Sequence, residues 1–218
     1  KELLRERLQT ILRPDPHAIG GEYQIRSLYF DDYWDSAYYE KMGGFSLRRK
    51  YRIRFYNCDD SLIRLECKLK SGNYICKLSA PLTRAEVEEI LRGEYAFLLE
   101  REENLCREFY YQCTSRLLRP RVIIDYEREP FVLDVGEVRV TFDRAVRSAF
   151  PQSDLFSPDL ACQYVLDPGK LVMEVKYTEF LPTLVKRILP PRAAQLSAVS
   201  KYTLCYEKVR FLQAQTLR

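Results

Sequence analysis

Histidine is almost missing from this chain: a single residue, His17, lies in a stretch punctuated by Pro14 and Pro16. One imidazole excludes a multi-histidine metal cluster or a Ser-His triad built within the chain, and His17 reads as a solvated loop residue. None of the seven cysteines forms a CxxC pair. Cys58, Cys67, Cys76, Cys106, Cys113, Cys162 and Cys205 are scattered, so they read as buried thiols of a reducing compartment rather than bridges or zinc ligands. No apolar run approaches the roughly 18 to 20 residues that cross a bilayer, so a soluble domain without a membrane span is expected, with a cytoplasmic location. The absence of a GxxxxGK[ST] loop disfavours a P-loop enzyme. Charge of one sign is also scarce: 35 Lys and Arg against 31 Asp and Glu leave a net +4. Affinity for a polyanion would therefore have to come from local arrangement. The chain starts at Lys1 without a methionine, which leaves room for a fragment whose native terminus carried another strand, a signal or an anchor.

What is present is regular patterning over 218 residues, enough for one domain over 1–218 with its own core. Leu3, Leu4, Leu8, Ile11 and Leu12 recur at helical spacing in residues 1–12. A strand over 23–30 and a short helix over 33–42 follow, the helix ending at Gly43-Gly44. Strands near 46–56, 62–70 and 73–79, separated by Asn57–Ser61 and Ser71-Gly72-Asn73, read as an antiparallel meander. Helices are expected at 84–92 and 94–118. A second β block comprises 121–127, 130–134 and 137–146; a loop covers 151–169, a strand 170–177, and helices 182–189 and 197–210. The fold class is α+β with a mostly antiparallel sheet.

Side chains alternate faces along a strand, which splits each candidate into two sides. The first central strand places Arg48, Lys50, Arg52 and Arg54 opposite Arg49, Tyr51, Ile53 and Phe55. The next places Arg64, Glu66, Lys68 and Lys70 opposite Leu65, Cys67 and Leu69. Arg139, Thr141 and Asp143 oppose Val140 and Phe142, and Glu174 with Lys176 opposes Met173, Val175 and Tyr177. One such face could simply look at water. Four of them, mostly basic, set like charges side by side, which a face built only for solubility would mix more evenly. Turned inward, they would line a basic β tunnel that a linear phosphate chain could neutralise. Arg52, Arg54 and Arg139 would then grip phosphate oxygens as bidentate forks, with Lys68 and Lys77 as point charges. Glu174 and Glu66 are the carboxylates suited to Mg²⁺ or Mn²⁺.

At these residues the chain resembles the VTC domain, the polyphosphate polymerase branch of the CYTH-like triphosphate tunnel metalloenzymes, over nearly its whole length. The carriers are Ser27-Leu28-Tyr29-Phe30-Asp31, Lys50-Tyr51-Arg52-Ile53-Arg54, Leu65-Glu66-Cys67-Lys68, Tyr126-Glu127-Arg128, Arg139-Val140-Thr141-Phe142-Asp143, Met173-Glu174-Val175-Lys176-Tyr177, Leu181-Pro182 and Ser200-Lys201-Tyr202. The resemblance implies an antiparallel tunnel with a basic interior. It implies phosphate-binding roles for Arg52, Arg54, Lys68, Lys77, Arg139, Lys176 and Lys201, with Arg128 and Ser200 as further contacts. It implies catalytic roles for Arg52, Arg54, Lys68, Arg139, Glu174 and Lys176, and a divalent metal on Glu174. Members of this family usually open with a strand bearing a Glu and Lys motif before the first helix, whereas this chain begins at that helix; without the strand, binding could survive where catalysis fails.

An enzyme is the favoured reading: metal-dependent transfer of the terminal phosphoryl group of ATP or another nucleoside triphosphate to inorganic polyphosphate. Water as acceptor would instead make a triphosphatase or polyphosphatase, and a non-catalytic module would sense polyphosphate or inositol phosphates. Nucleic acid is not an expected partner, because Glu66, Glu174 and Asp143 share the basic strands. A membrane-bound partner remains compatible with the family.

Overall fold

The computed structural model describes residues 2–189, 195 and 197–216. Its elements in chain order are α1 (Glu2–Gln9), β1 (Arg13–Pro14), β2 (Tyr23–Asp31), α2 (Ser36–Met42), β3 (Leu47–Tyr56), β4 (Asp59–Ser71), β5 (Tyr74–Leu82), α3 (Arg84–Arg92), α4 (Asn104–Ser115), β6 (Arg119–Leu133), β7 (Val138–Ala149), β8 (Gln163–Tyr164), β9 (Val172–Lys176), α5 (Thr183–Ile188) and α6 (Lys201–Thr216). The class is α+β with a large antiparallel sheet. Contacts divide the chain into two compact units. The larger holds 25–125, 147–165 and 201–218, and the smaller holds 1–24, 126–146 and 166–200.

In the larger unit, β2, β3, β4 and β5 form consecutive antiparallel ladders. Alternation sends Tyr51, Ile53 and Phe55 of β3, with Ile63, Leu65 and Cys67 of β4, into one core with Val87 and Ile90 of α3 and Phe109 and Cys113 of α4. Each fully buried aliphatic side chain contributes about 1.5–3 kcal/mol, so this apolar side fixes the register and with it the opposite, charged side. Helix α3 starts at a capping box: Glu86 N donates to Thr83 Oγ1 at 3.2 Å, and Thr83 N donates to Glu86 Oε2 at 2.7 Å. It stops at Gly93, whose φ of +84° is left-handed backbone that glycine adopts without a side-chain clash. In the smaller unit, Leu8 and Leu12 pack with Phe131 of β6, Val138, Val140 and Phe142 of β7 and Val185 of α5.

Several boundaries differ from the pattern. The helix expected over 94–118 breaks into a short 3₁₀ turn, Ala96–Leu99, and α4. Between them Arg101 is held by Glu86 at 2.6 Å, Glu103 at 3.0 Å and the Pro81 carbonyl at 2.9 Å, contacts outside any helical repeat. The strands expected at 121–127 and 130–134 are one strand running through Pro130, whose carbonyl accepts from Asp15 N at 3.1 Å. The 151–169 loop contains β8, which pairs with β7 at Arg147↔Tyr164. Residues 197–200 are not helical, and α6 begins at Lys201. All seven cysteines are unbridged; Cys67, Cys106, Cys113 and Cys205 are buried, whereas Cys76 is exposed on β5. Among the described residues no helix is long and apolar enough to cross a membrane.

Candidate functional site

The antiparallel register converts the charged sides of β3, β4 and β5 into rows. Arg48 lies opposite Lys70; Lys50 opposite Lys68, which lies opposite Lys77; Arg52 opposite Glu66; and Arg54 opposite Arg64. Within these four rows one carboxylate, Glu66, stands among the cations. Directly opposed residues have Cβ atoms about 4.5–5.5 Å apart, so the row sets like charges side by side, and Lys77 at its end pairs with Glu66 of the next row. Nor is the face freely solvated. Glu66 is 2% exposed and Arg54 7%, while Lys68 and Lys77 are open to solvent.

The buried part is organised around Arg52. Its Nε donates to Glu66 Oε2 at 2.6 Å and its Nη1 to Tyr29 Oη at 2.7 Å. The other Glu66 oxygen pairs with Lys77. Burial opposes ionisation of Glu66, yet Arg52, Arg54 and Lys77 outweigh it and hold its carboxyl below the usual range. Arg54 Nε donates to Ser27 Oγ at 2.9 Å. The two arginines that head the predicted set are therefore fixed before any ligand arrives, and fixed forks lose less entropy on gripping phosphate.

Behind Arg52, Tyr29 stacks on Tyr202 of α6 with ring centroids 5.3 Å apart, and Lys50 Nζ lies 4.9 Å from the Tyr202 centroid. Tyr202 Oη donates to Asp31 Oδ2 at 2.5 Å. Asp31 also accepts from the backbone N–H groups of Asp32 at 2.9 Å, Ala37 at 2.9 Å and Tyr38 at 3.0 Å, so the end of β2 anchors both α2 and the first turn of α6. Burial pushes the Asp31 carboxyl up despite these donors. This places Lys201, the residue before Tyr202, at the start of α6, with Ser200 immediately preceding the helix. Replacing Tyr202 with Phe keeps the stack and removes only the donor to Asp31, so a stability loss of about 1–2 kcal/mol is expected in urea titration. An unchanged midpoint would mean that the hydroxyl does not hold α6.

In the smaller unit, β7 and β9 pair Arg139↔Lys176 and Thr141↔Glu174. Arg128 forks onto Asp143, with Nε to Oδ1 at 2.6 Å and Nη2 to Oδ2 at 2.8 Å. Its Nη2 is also 3.8 Å from Glu174 Oε2, and Lys176 Nζ is 3.4 Å from Glu174 Oε1. Arg139 Nη2 donates to Asp15 Oδ2 at 2.8 Å and Tyr23 Oη at 2.9 Å. One strand pair with its β6 neighbour thus brings Arg128, Arg139, Glu174 and Lys176 together. His17 is a largely exposed side chain whose Nδ1 lies 3.0 Å from Asp15 Oδ1.

Among the described residues no three His, Cys, Asp or Glu side chains gather as a metal cage. Both oxygens of Glu66 are paired with cations, which fits a charge-balancing role better than metal ligation. Glu174, 39% exposed at its side chain, is a carboxylate of the kind that holds a single hard cation shared with phosphate oxygens and water, the usual habit of Mg²⁺ at phosphate sites.

Tyr29, Tyr202, Asp31, Tyr23 and Asp15 were not singled out as site residues by charge alternation. The signal for three of them lay in Ser27-Leu28-Tyr29-Phe30-Asp31 and Ser200-Lys201-Tyr202, segments without a row of like charges.

A family model described as VTC domain matches residues 2–210. No curated protein sequence matches the chain. Among solved structures, a putative adenylate cyclase from Bacillus halodurans is similar at a TM-score of 0.43 and 12% identity, over 69% of this chain and 68% of that one. A putative adenylyl cyclase from Hippeastrum, described as having a dominant triphosphatase activity, is similar at 0.42 and 13%, over 68% and 66%. A protein from Pyrococcus horikoshii is similar at 0.39 and 9%, over 99% and 84%. These structural similarities are too distant to transfer fold or activity.

Proposed function

The chain belongs to the VTC domain family, and from that premise we propose that it binds a linear phosphate chain and transfers the terminal phosphoryl group of a nucleoside triphosphate to inorganic polyphosphate. The observation that carries this reading is the Lys50–Lys68–Lys77 row beside Arg52 and Arg54, with Glu66 as the one carboxylate within these rows. A polyanion of regularly spaced charges satisfies such rows; a single small anion would leave most of them opposed.

In this proposal Arg52 and Arg54 hold phosphate oxygens through their guanidinium groups, and Lys68 and Lys77 supply mobile positive charge from the exposed part of the face. In the smaller unit taken by itself, Arg128, Arg139 and Lys176 are proposed phosphate contacts, and Ser200 and Lys201 are proposed contacts at the start of α6. Glu174 would hold Mg²⁺ or Mn²⁺, which supplies Lewis-acid neutralisation of phosphate charge when bound. A bond forms between an ionised terminal oxygen of the acceptor chain and the γ-phosphorus. The bond from that phosphorus to the β-bridging oxygen breaks, and the nucleoside diphosphate leaves with the electron pair. The acceptor needs no deprotonation, so a cage of cations can do the work by orientation and charge.

Incubating the protein with ATP and Mn²⁺ is expected to give polymer resolved on a polyacrylamide gel. Free phosphate without polymer would overturn phosphoryl transfer to polyphosphate in favour of hydrolysis on the same face. Binding without turnover would leave a phosphate-sensing module.

A further inference from the structure

Strand β2 meets the two central arginines with hydroxyls. Its register sets Tyr29 directly opposite Arg52 and Ser27 directly opposite Arg54 of β3. On the other side of β3 the same arginines face Glu66 and Arg64 of β4. Arg52 Nη1 donates to Tyr29 Oη at 2.7 Å, and Arg54 Nε donates to Ser27 Oγ at 2.9 Å. Both acceptors are held in place by burial: Ser27 is 0% exposed and Tyr29 8%. The Tyr29 ring is also backed by Tyr202, with centroids 5.3 Å apart and ring planes 24° from parallel, and Tyr202 is bonded in turn to Asp31. The phenol oxygen that receives Arg52 is therefore a fixed point of the larger unit.

We propose that Tyr29 and Ser27 are positioning residues of the phosphate-binding face, acting through Arg52 and Arg54 to aim the two guanidinium forks at a phosphate chain. The inference rests on the phosphate-chain reading above and deepens it by two residues. A carboxylate opposite each arginine would orient it as firmly but would also offset its charge. A hydroxyl accepts the N–H bond and adds no negative charge, so the fork is aimed while its attraction for an anion is kept. Glu66 already supplies the one carboxylate of these rows. Both hydroxyls also satisfy guanidinium groups that are largely withdrawn from water, Arg52 at 18% side-chain exposure and Arg54 at 7% overall. That service to folding is read by a melting curve. Aim is read by ligand affinity and by its dependence on the arginine being present.

The test is calorimetric titration of tripolyphosphate at pH 7 into wild type, Tyr29→Phe, Ser27→Ala, Arg52→Ala and the double variant Tyr29→Phe with Arg52→Ala, each with its melting curve. Low ionic strength keeps the weaker isotherms measurable. Tyr29→Phe keeps the ring and its stack and removes one oxygen, so it is expected to fold and to raise the dissociation constant about fivefold. Ser27→Ala, which removes the acceptor for Arg54, is expected to cost about the same factor. In the Arg52→Ala background Tyr29→Phe should change the dissociation constant by less than about twofold, because no fork is left to aim. Absence of tripolyphosphate binding by wild type would overturn the underlying reading and this inference with it. Wild-type affinity in folded Tyr29→Phe and Ser27→Ala would overturn this inference and leave the phosphate-chain reading standing. So would a loss from Tyr29→Phe that persists undiminished in Arg52→Ala, since the hydroxyl would then act by some route other than the fork.

Discussion

Replacing Glu66 with Gln is expected to lower folding stability by about 3 kcal/mol and the melting temperature by roughly 6–12 °C, the largest stability effect of any single change on the basic face. The side chain keeps its size, so the loss is one of charge. Wild-type Glu66, 2% exposed, pairs with Arg52 at 2.6 Å and with Lys77. Removing its charge takes the carboxylate partner from the partly buried Arg52, in a row flanked by Lys50 and Arg54. Lys77, half exposed, can turn to water, so most of the cost falls on Arg52.

The pH dependence of this difference has a definite sign. The folded-state pKa of Glu66 is depressed from 4.5, so its contribution is complete above that value and is lost as pH falls through the folded pKa. Wild type and Glu66→Gln should therefore differ most at neutral pH and converge in acid. Added tripolyphosphate should raise the melting temperature of the variant more than that of wild type, because the ligand restores missing negative charge. Calorimetric scans at two pH values with and without tripolyphosphate measure all of this. Equal melting temperatures at pH 7 would show that the face tolerates its cations without Glu66.

The charged rows were legible because strand alternation is a strong local signal and the apolar partners Tyr51, Ile53, Phe55, Leu65 and Cys67 all had a core to enter. Register was not legible: that Lys50, Lys68 and Lys77 share one row depends on the bends at Asn57–Cys58 and Ser71–Gly72, where Asn57, Cys58 and Gly72 adopt positive φ. The helix over 94–118 misled for a related reason. Glu100, Arg101, Glu102 and Glu103 suit a solvated helix by composition, but Arg101 finds better partners in Glu86 and the Pro81 carbonyl, which are distant in sequence. The tyrosine and aspartate supports were hidden because the bond from Tyr202 to Asp31 spans 171 residues and joins two unremarkable motifs. Charge patterning finds groups that meet a ligand; it passes over the neutral side chains that hold those groups still.

Arg52→Ala should have the largest effect on ligand binding, raising the dissociation constant for tripolyphosphate about 100-fold or more. Arg52 is the only cation of its row, and its guanidinium is oriented by Glu66 and Tyr29, so it offers phosphate a fork that loses little entropy on binding. Hydrogen bonds to charged groups contribute about 1.5–3 kcal/mol each, and two lost together correspond to at least the stated factor. Arg52→Lys separates charge from geometry: it keeps a cation near Glu66 but not the fork, and should fall between wild type and alanine. Because Arg52→Ala also leaves Glu66 buried with Lys77 as its remaining partner, its melting temperature must be measured beside the binding isotherm. A folded Arg52→Ala protein that binds tripolyphosphate as tightly as wild type would remove the basis for placing the phosphate chain on this face. Loss of affinity with the lysine variant intermediate would mean that the fork, beyond the charge, selects the ligand.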